Sequence, residues 1–227
     1  MQPLVLLHGA IGAKDQLLPL SQQLRNEFEL HSFNFNGHGG EAIRQGAFNI
    51  EGFAQDFCLY LQERNLSSVN VFGYSMGGYV AMYVARHYPN LIKRIITLGT
   101  KWEWSEAIAD KECSMLNPEK IEAKVPAFAQ QLRERHAPHD WKEVLGNTAA
   151  MLRAMGQQPP LSDEDLTKVK LPVLLLLGDH DKMVSKEETG HVAKLAEGAN
   201  KLLPNSAHPM EQVDIAKLTE EVRAWML

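Results

Sequence analysis

The sequence is poor in the features that mark metal-binding, membrane and secreted proteins. Its 227 residues include only two cysteines, Cys58 and Cys113, which fall in unrelated segments without metal or redox spacing. Such usage is typical of a reduced compartment. No apolar run approaches the roughly 20 residues of a membrane helix, and Met1 is not followed by the basic segment and cleavage site of a signal peptide. The sequence therefore predicts a cytoplasmic location and no membrane partner.

Strong charge is also missing. The formal net charge is −5 and no run of Lys or Arg exceeds a pair, so electrostatics give little support to nucleic-acid binding. His136 and His139 are close in sequence, but no third residue stands at metal-ligand spacing. We therefore expect neither a metal nor another cofactor. What is present is a chain that is 44% hydrophobic, which is enough for one well-buried core.

One stretch carries a chemical pattern. Residues 69–81 read as a short apolar strand, an abrupt turn and a helix, and the turn is Gly73-Tyr74-Ser75-Met76-Gly77. This matches G-x-S-x-G, in which a serine stands on a strained turn from strand to helix. The pattern arises by chance in roughly one chain of this length in fifteen. A glycine-rich turn without chemistry is therefore the alternative to be weighed.

Strand and helix patterns alternate along most of the chain. Short apolar runs, typical of buried strands, alternate with segments whose apolar residues recur every three or four positions. This order predicts an α/β fold with a mainly parallel sheet of about six strands and helices on both faces. The predicted strands, besides the one before Ser75, are Leu4–Leu7, Phe28–Phe35, Ile95–Gly99, Val173–Leu177 and Lys201–Pro204.

The alternation stops between residues 101 and 168, a stretch called the cap segment below. It has only helical patterns: one from Glu103 to Leu116, a second that begins at Asn117-Pro118 and a third that begins at Asp140. We expect a helical cap inserted into a core of residues 1–100 and 169–227. Because the segment leaves the sheet at its carboxyl edge, we expect it to lie over Ser75.

In an open parallel sheet, functional groups lie just past the carboxyl ends of the strands. The first predicted strand ends in His8-Gly9-Ala10, and the strand before the G-x-S-x-G turn ends at Ser75. Asp179 and Asp181 follow a later strand, and His208 follows the last one. Four distant segments thus meet at one edge. The chain order serine, acid, histidine is the order expected in this architecture.

Taken together, these residues make the sequence resemble the α/β-hydrolase fold superfamily, especially its small esterase-like members with a helical cap. The resemblance covers essentially the whole chain outside the cap segment. The family usually has an antiparallel strand pair before the first strand found here, so the resemblance implies a reduced sheet with Phe28–Phe35 at its edge. Asn34 and Asn36 stand near the places where the family commonly has Asp and Arg. The motifs that carry the resemblance are His8-Gly9, Gly37-His38-Gly39, Gly73–Gly77, Gly178–Val184 and Ala207-His208-Pro209.

The resemblance implies a catalytic triad. Ser75 would be the nucleophile, His208 the base that accepts its proton, and Asp181 the acid that orients the histidine. Asp179 is the alternative acid, although the family spacing G-x-x-D-x-x-V favours Asp181.

The resemblance and the composition of the cap segment also indicate further site residues. The backbone N–H groups of Met76 and Ala10 would form the oxyanion hole. The cap segment is rich in Trp, Met and Phe, so we expect a small or medium, largely apolar group to bind beneath it. The expected substrate contacts are Trp102, Trp104 and Tyr74.

We therefore expect a serine hydrolase that cleaves a carboxylic ester or related acyl bond of a small, largely apolar molecule through an acyl-enzyme. It would act as a monomer or homodimer. Hydrolysis of a C–C bond or a thioester by the same triad is the nearer alternative. A non-catalytic binding protein on this fold is the more distant one, and an intact set of serine, aspartate and histidine speaks against it.

Overall fold

The computed structural model describes residues 1–227 as six strands and ten α-helices with two short 3₁₀ turns. None of these helices has both the length and the apolar character that a membrane crossing requires. The strands are β1 (Gln2–Leu7), β2 (Phe28–Ser32), β3 (Val69–Tyr74), β4 (Ile92–Leu98), β5 (Val173–Gly178) and β6 (Ala199–Leu203). The helices are α1 (Leu18–Leu24), α2 (Ile50–Glu63), α3 (Met76–His87), α4 (Glu106–Cys113), α5 (Pro118–Lys124), α6 (Pro126–His136), α7 (Trp141–Gln157), α8 (Asp163–Thr167), α9 (Lys186–Leu195) and α10 (Ile215–Met226).

All six strands run parallel, in the order β2-β1-β3-β4-β5-β6. Every residue of β3 and β5 is buried, because these central strands are covered on both faces. One face packs against α2, α3 and α9, the other against α1 and α10, and each interface has its own cluster of buried apolar side chains. The predicted six-stranded α/β fold is confirmed, and β2 lies at the edge of the sheet as expected.

Two strand boundaries differ from the prediction by three residues, and the others differ by two residues at most. β2 ends at Ser32 rather than Phe35, because Ser32 is the last residue that pairs with β1. Phe33 and Phe35 instead pack edge to face, with ring centroids 5.1 Å apart, and contribute to the apolar cluster under α2. β4 begins at Ile92, three residues earlier than predicted, since Ile92 already pairs with β3.

The cap segment contains five helices, α4 to α8, where the sequence indicated three. Pro126 divides the predicted second helix into α5 and α6, because proline and the residue before it disfavour a continuous helix. Helices α5, α6 and α7 share a small apolar cluster that includes Leu132 and Trp141. Helix α8 instead packs on the sheet-flanking helices, where Asp165 accepts a hydrogen bond from Arg86 at 3.0 Å. The residue limits of core and cap stay a prediction.

Candidate active site

The turn between β3 and α3 holds Ser75 in a strained backbone conformation. Its φ of 50° and ψ of −116° lie where residues other than glycine are rare. Two residues later a glycine is required, because a Cβ at Gly77 would overlap the carbonyl oxygen of Leu7 and lie 2.7 Å from that of His8. The first turn of α3 therefore packs directly on the end of β1. Ser75 stands at the carboxyl edge of the sheet and lines a cavity.

His208 and Asp181 lie beside this serine. Nε2 of His208 is 3.3 Å from Oγ of Ser75, and Nδ1 of His208 is 2.8 Å from Oδ2 of Asp181. A proton on Nδ1 that is donated to the carboxylate leaves Nε2 free to accept the serine proton. Gly99, at a φ of 60°, makes room for this pair, since a Cβ there would lie 3.2 Å from the Asp181 oxygen and 3.3 Å from Nδ1.

The carboxylate of Asp181 is held from both sides. Its side chain is 1% exposed, and its Oδ1 accepts the backbone N–H groups of Met183 and Val184 at 2.8 and 3.0 Å. Burial by itself raises the pKa of a carboxyl group, but the hydrogen bond and charge of His208 and the two N–H donors outweigh it, so the pKa of Asp181 lies below its usual value. Asp181 is therefore ionised at neutral pH and fixes the orientation of the imidazole.

Asp179, the alternative acid, is engaged elsewhere. Its Oδ1 accepts the backbone N–H of Ser206 at 3.1 Å and lies 3.8 Å from Nδ1 of His180. The N–H of Ser206 holds the pKa of Asp179 below its usual value. Asp179 thus stabilises the loop before His208, and it is Asp181 that contacts the histidine ring.

Two further side chains hold the backbone of Ser75 and of His208. The hydroxyl of Tyr74 donates to the carbonyl oxygen of His208 at 2.9 Å, and the hydroxyl of Thr100 donates to the carbonyl oxygen of Ser75 at 2.9 Å. Tyr74 also lines the cavity, so its expected substrate contact stays a prediction beside this structural bond. Thr100 has no sequence signal beyond its place two residues after β4.

The backbone N–H groups of Ala10 and Met76 are free of protein acceptors. Met76 is the first residue of α3, where N–H groups have no partner within the helix. Ala10 follows β1, whose end touches the same helical turn through Gly77. Both residues line the cavity together with Ser75. Their part in an oxyanion hole stays a prediction.

Buried histidines anchor the loop that carries Ala10. Nδ1 of His8 donates to the carbonyl oxygen of Gly9 at 2.8 Å, and its Nε2 accepts the N–H of Phe35 at 3.1 Å. Burial lowers the pKa of His8 to about 4, so the ring is neutral near pH 7. From the cap segment, Nε2 of His136 donates to the carbonyl oxygen of Ile11 at 3.0 Å. The loop is therefore held both by the core and by α6.

A cavity of about 680 Å³ opens beside Ser75 and His208. One of its walls is the carboxyl edge of the sheet. The other is formed by the cap segment, as expected, and most of the side chains that it contributes are apolar: Trp104, Met115, Leu116, Ile121, Val125, Phe128, Met151, Leu152 and Met155.

The two tryptophans that were expected to contact substrate lie in different surroundings. Trp104 is part of the cavity lining, and its buried Nε1–H has no hydrogen-bond partner. Trp102 is not part of the lining and stacks on Tyr79, with ring centroids 5.6 Å apart. Both substrate contacts stay predictions, but only Trp104 is positioned to touch a molecule in the cavity.

Charged side chains in the lining were not anticipated from the sequence. Lys101, Glu112, Arg135 and Glu211 all reach the cavity. Glu112 belongs to no motif, yet it stands three residues after the buried Ala109 on α4. That spacing places both residues on one helical face and was the available signal.

Such a sheet, with a serine on a sharp turn, a histidine and a carboxylate at its carboxyl edge, defines a protein of the α/β-hydrolase type. The family model for the alpha/beta hydrolase fold matches residues 2–153. The chain belongs to this family.

Individual relatives are distant but cover most of the chain. The (E)-2-((N-methylformamido)methylene)succinate hydrolase of Acinetobacter baylyi is 23% identical, over 99% of this chain and 90% of that protein. Lipase 3 of a Moraxella species is 24% identical, over 96% and 75% respectively. Matches to ethanol acetyltransferase 1 of two Cyberlindnera species span 43% of this chain and only 29% of those proteins.

The fold is also that of known structures. A thermophilic esterase from Thermogutta terrifontis, with malate bound, superposes with a TM-score of 0.77 and 20% identity, over 100% of this chain and 89% of that one. At this identity the likeness concerns the fold alone.

Proposed function

We propose that the protein is a serine hydrolase that cleaves a carboxylic ester or a related acyl bond of a small, largely apolar molecule. The observation that carries the proposal is the hydrogen-bonded series from Ser75 through His208 to Asp181, with distances of 3.3 and 2.8 Å. A serine hydroxyl is a weak nucleophile until an adjacent imidazole accepts its proton. The Ser75–His208 distance is long for a strong hydrogen bond, and such contacts commonly shorten when substrate binds.

In the proposed reaction, Oγ of Ser75 attacks the carbonyl carbon while His208 takes the serine proton at Nε2. The carbonyl oxygen becomes an oxyanion, which accepts hydrogen bonds from the N–H groups of Met76 and Ala10. Loss of one such donor typically costs about 2.7–4 kcal/mol of transition-state stabilisation. His208 then gives its proton to the departing alcohol. A water molecule, deprotonated by His208, hydrolyses the acyl-enzyme, and the proton returns to Ser75 as the acid departs.

The cavity supports an ester of modest size. Its volume of about 680 Å³ and its mostly apolar lining are typical of sites for small organic molecules. Two relatives that match most of the chain are named as a hydrolase and as a lipase. The same triad chemistry serves thioesters, so short thioesters belong in the substrate panel beside p-nitrophenyl esters.

The experiment that tests the proposal is labelling with a fluorophosphonate probe, which reacts with an activated serine. Wild-type protein should be labelled and should hydrolyse short p-nitrophenyl esters, while Ser75→Ala should do neither. Ser67→Ala, at an exposed serine, is the matched control and should behave as wild type. Circular dichroism checks that both variants fold. An unlabelled wild-type protein would favour the binding-protein alternative, and labelling that persists in Ser75→Ala would remove Ser75 from its role.

A further inference from the structure

Glu112 places a carboxylate in the wall of the cavity that contains Ser75. It lies on α4, is 5% exposed as a residue, and belongs to the cavity lining. Its side chain makes no hydrogen bond and no ion pair within the protein. The other two buried residues of α4 are Ala109 and Cys113, so Glu112 is the only charged residue that this helix buries. Glu112 therefore has no hydrogen-bond or ion-pair partner within the protein and belongs to the wall of the cavity.

The other charged groups of the lining are already paired. Nζ of Lys101 lies 3.5 Å from the carboxylate of Glu188. Arg135 lies 3.3 Å from Asp15 and 3.9 Å from Glu211, whose side chain is 61% exposed. Glu112 is thus the one charged residue of the lining that is both buried and without a protein partner.

A buried carboxylate without a partner is unfavourable. Burial raises the pKa of Glu112 above its usual value, against the opposing charges of Lys101 and Lys111 and of His208. In a low-dielectric cavity, a cation at hydrogen-bond distance would offset this cost far more than it would in water. A bound molecule that supplies a cation would give the Glu112 carboxylate the partner that the protein does not provide.

We propose that Glu112 is a specificity residue that binds a cationic amine on the substrate. The inference rests on the proposed function and narrows its substrate class to esters that carry an ammonium group, held with their apolar part against the cap segment. Glu112 takes no part in the proton transfers at Ser75.

The test compares pairs of esters that differ only in charge. Butyrylcholine and 3,3-dimethylbutyl butyrate carry the difference on the alcohol, and ethyl 6-aminohexanoate and ethyl heptanoate carry it on the acyl chain. The measured quantity is the ratio of kcat/KM for the cationic ester to that for the neutral ester. In at least one pair, Glu112→Gln should lower this ratio by about tenfold or more, because hydrogen bonds and ion contacts to a buried charge are among the strong ones.

Two further variants secure the interpretation. Glu112→Met, which replaces the carboxylate by an apolar chain of similar length, should lower the same ratio at least as far. Glu106→Gln removes an exposed charge from the same helix and should leave the ratio unchanged. A ratio that does not move in either pair, for both Glu112 variants, would overturn the inference.

The same comparison can be made without catalysis. In Ser75→Ala protein, calorimetric binding constants for the two ester pairs should show the cationic preference, and Glu112→Gln added to that background should remove it. A protein that does not hydrolyse esters but shows this preference would contradict the proposed function and retain the role of Glu112. A protein that is labelled by the probe but shows no preference for the cationic ester would support the proposed function and overturn the inference about Glu112.

Discussion

The two walls of the cavity are built in different ways. On the sheet side, the site depends on backbone positions: Ser75 at a φ of 50°, Gly77 against the carbonyl groups of Leu7 and His8, and free N–H groups at the start of α3. On the cap side, the wall is made of side chains on separate helices. The helices themselves are less closely packed: at Gly146, an exposed residue of α7, no atom lies within 4 Å of where a Cβ would stand.

This difference separates chemistry from substrate choice. A wall made of backbone atoms in close contact cannot change without loss of the site, whereas side chains on helices can be exchanged one at a time. We expect substitutions on the sheet side to abolish activity and substitutions on the cap side to redirect it. The predictions that follow probe that expectation in order of decreasing effect.

The largest effect is expected on the sheet side at Asp181. Asp181→Asn should lower kcat for p-nitrophenyl butyrate by about 10³–10⁴-fold, because an amide allows the imidazole of His208 to take the wrong tautomer. Asp179→Asn is the matched control and should be far milder, since an amide oxygen can still accept the N–H of Ser206. A control that loses as much activity as Asp181→Asn would reassign the acid.

The next effect compares two glycine-to-alanine changes, one behind Ser75 in the first turn of α3 and one at an exposed position of α7 in the cap segment. In Gly77→Ala the new Cβ meets backbone carbonyl groups, so the first turn of α3 must move. A displacement of about 1 Å in an active site can lower kcat by about 10²-fold. Gly146→Ala adds a methyl group to open space within a helix and should raise the free energy of unfolding by about 0.5–1 kcal/mol. Urea unfolding and ester turnover measure both. Equal losses of ester turnover in the two variants would contradict the expectation that the sheet side tolerates change less than the cap segment does.

A third effect concerns the buried histidines His8, His38 and His136, of which the last joins the cap segment to the core, and it depends on pH. Burial keeps the pKa of His8 at about 4 and lowers the pKa values of His38 and His136. Unfolded histidines bind protons more readily than these do, so the free energy of unfolding should fall as the pH drops below about 6.5. Each histidine contributes up to about 1.4 kcal/mol per pH unit.

His136→Gln isolates one of these contributions. Nδ1 of His136 accepts the N–H of Gly39 and Nε2 donates to the carbonyl oxygen of Ile11, and an amide can make both bonds without titrating. The slope of unfolding free energy against pH between 5 and 6.5 should therefore decrease by about one histidine's share, up to 1.4 kcal/mol per pH unit, and stay the same above pH 7. A slope equal to that of wild type would show that His136 does not titrate with unfolding.

The fold could be predicted because its signals are local. A central strand such as β5 reads as a short apolar run, and Ser185 with Glu188 forms the capping box that begins α9. The end of β2 could not be predicted, since it depends on where β1 stops pairing. Pro126 is a visible signal for the break between α5 and α6, and the prediction of a single helix did not use it.

The site residues also divide into those that a local sequence pattern locates and those that it does not. Ser75 and His208 stand at strand ends that the pattern locates, and the structure brings their side chains together. The hydrogen bond from Thr100 to Ser75 and the place of Glu112 in the cavity wall depend on how elements far apart in sequence pack together, which no motif encodes. The different surroundings of Trp102 and Trp104, two residues apart, have the same origin, because side-chain direction in the segment before α4 follows from packing rather than from spacing.

The smallest effect on rate is expected in the cap wall, and it separates these two tryptophans. Trp104→Ala enlarges the cavity and should raise kcat/KM for octanoate relative to acetate esters by about tenfold, since one methylene group in an apolar pocket contributes about 1–3 kcal/mol of discrimination. Trp102→Ala removes the stacking on Tyr79 and should lower the unfolding temperature while leaving the chain-length profile unchanged. Trp104→Phe keeps a ring in the wall and serves as the conservative control. If Trp102→Ala alone shifts the profile, substrate binds against the other side of this segment and the cap wall of the cavity has been assigned incorrectly.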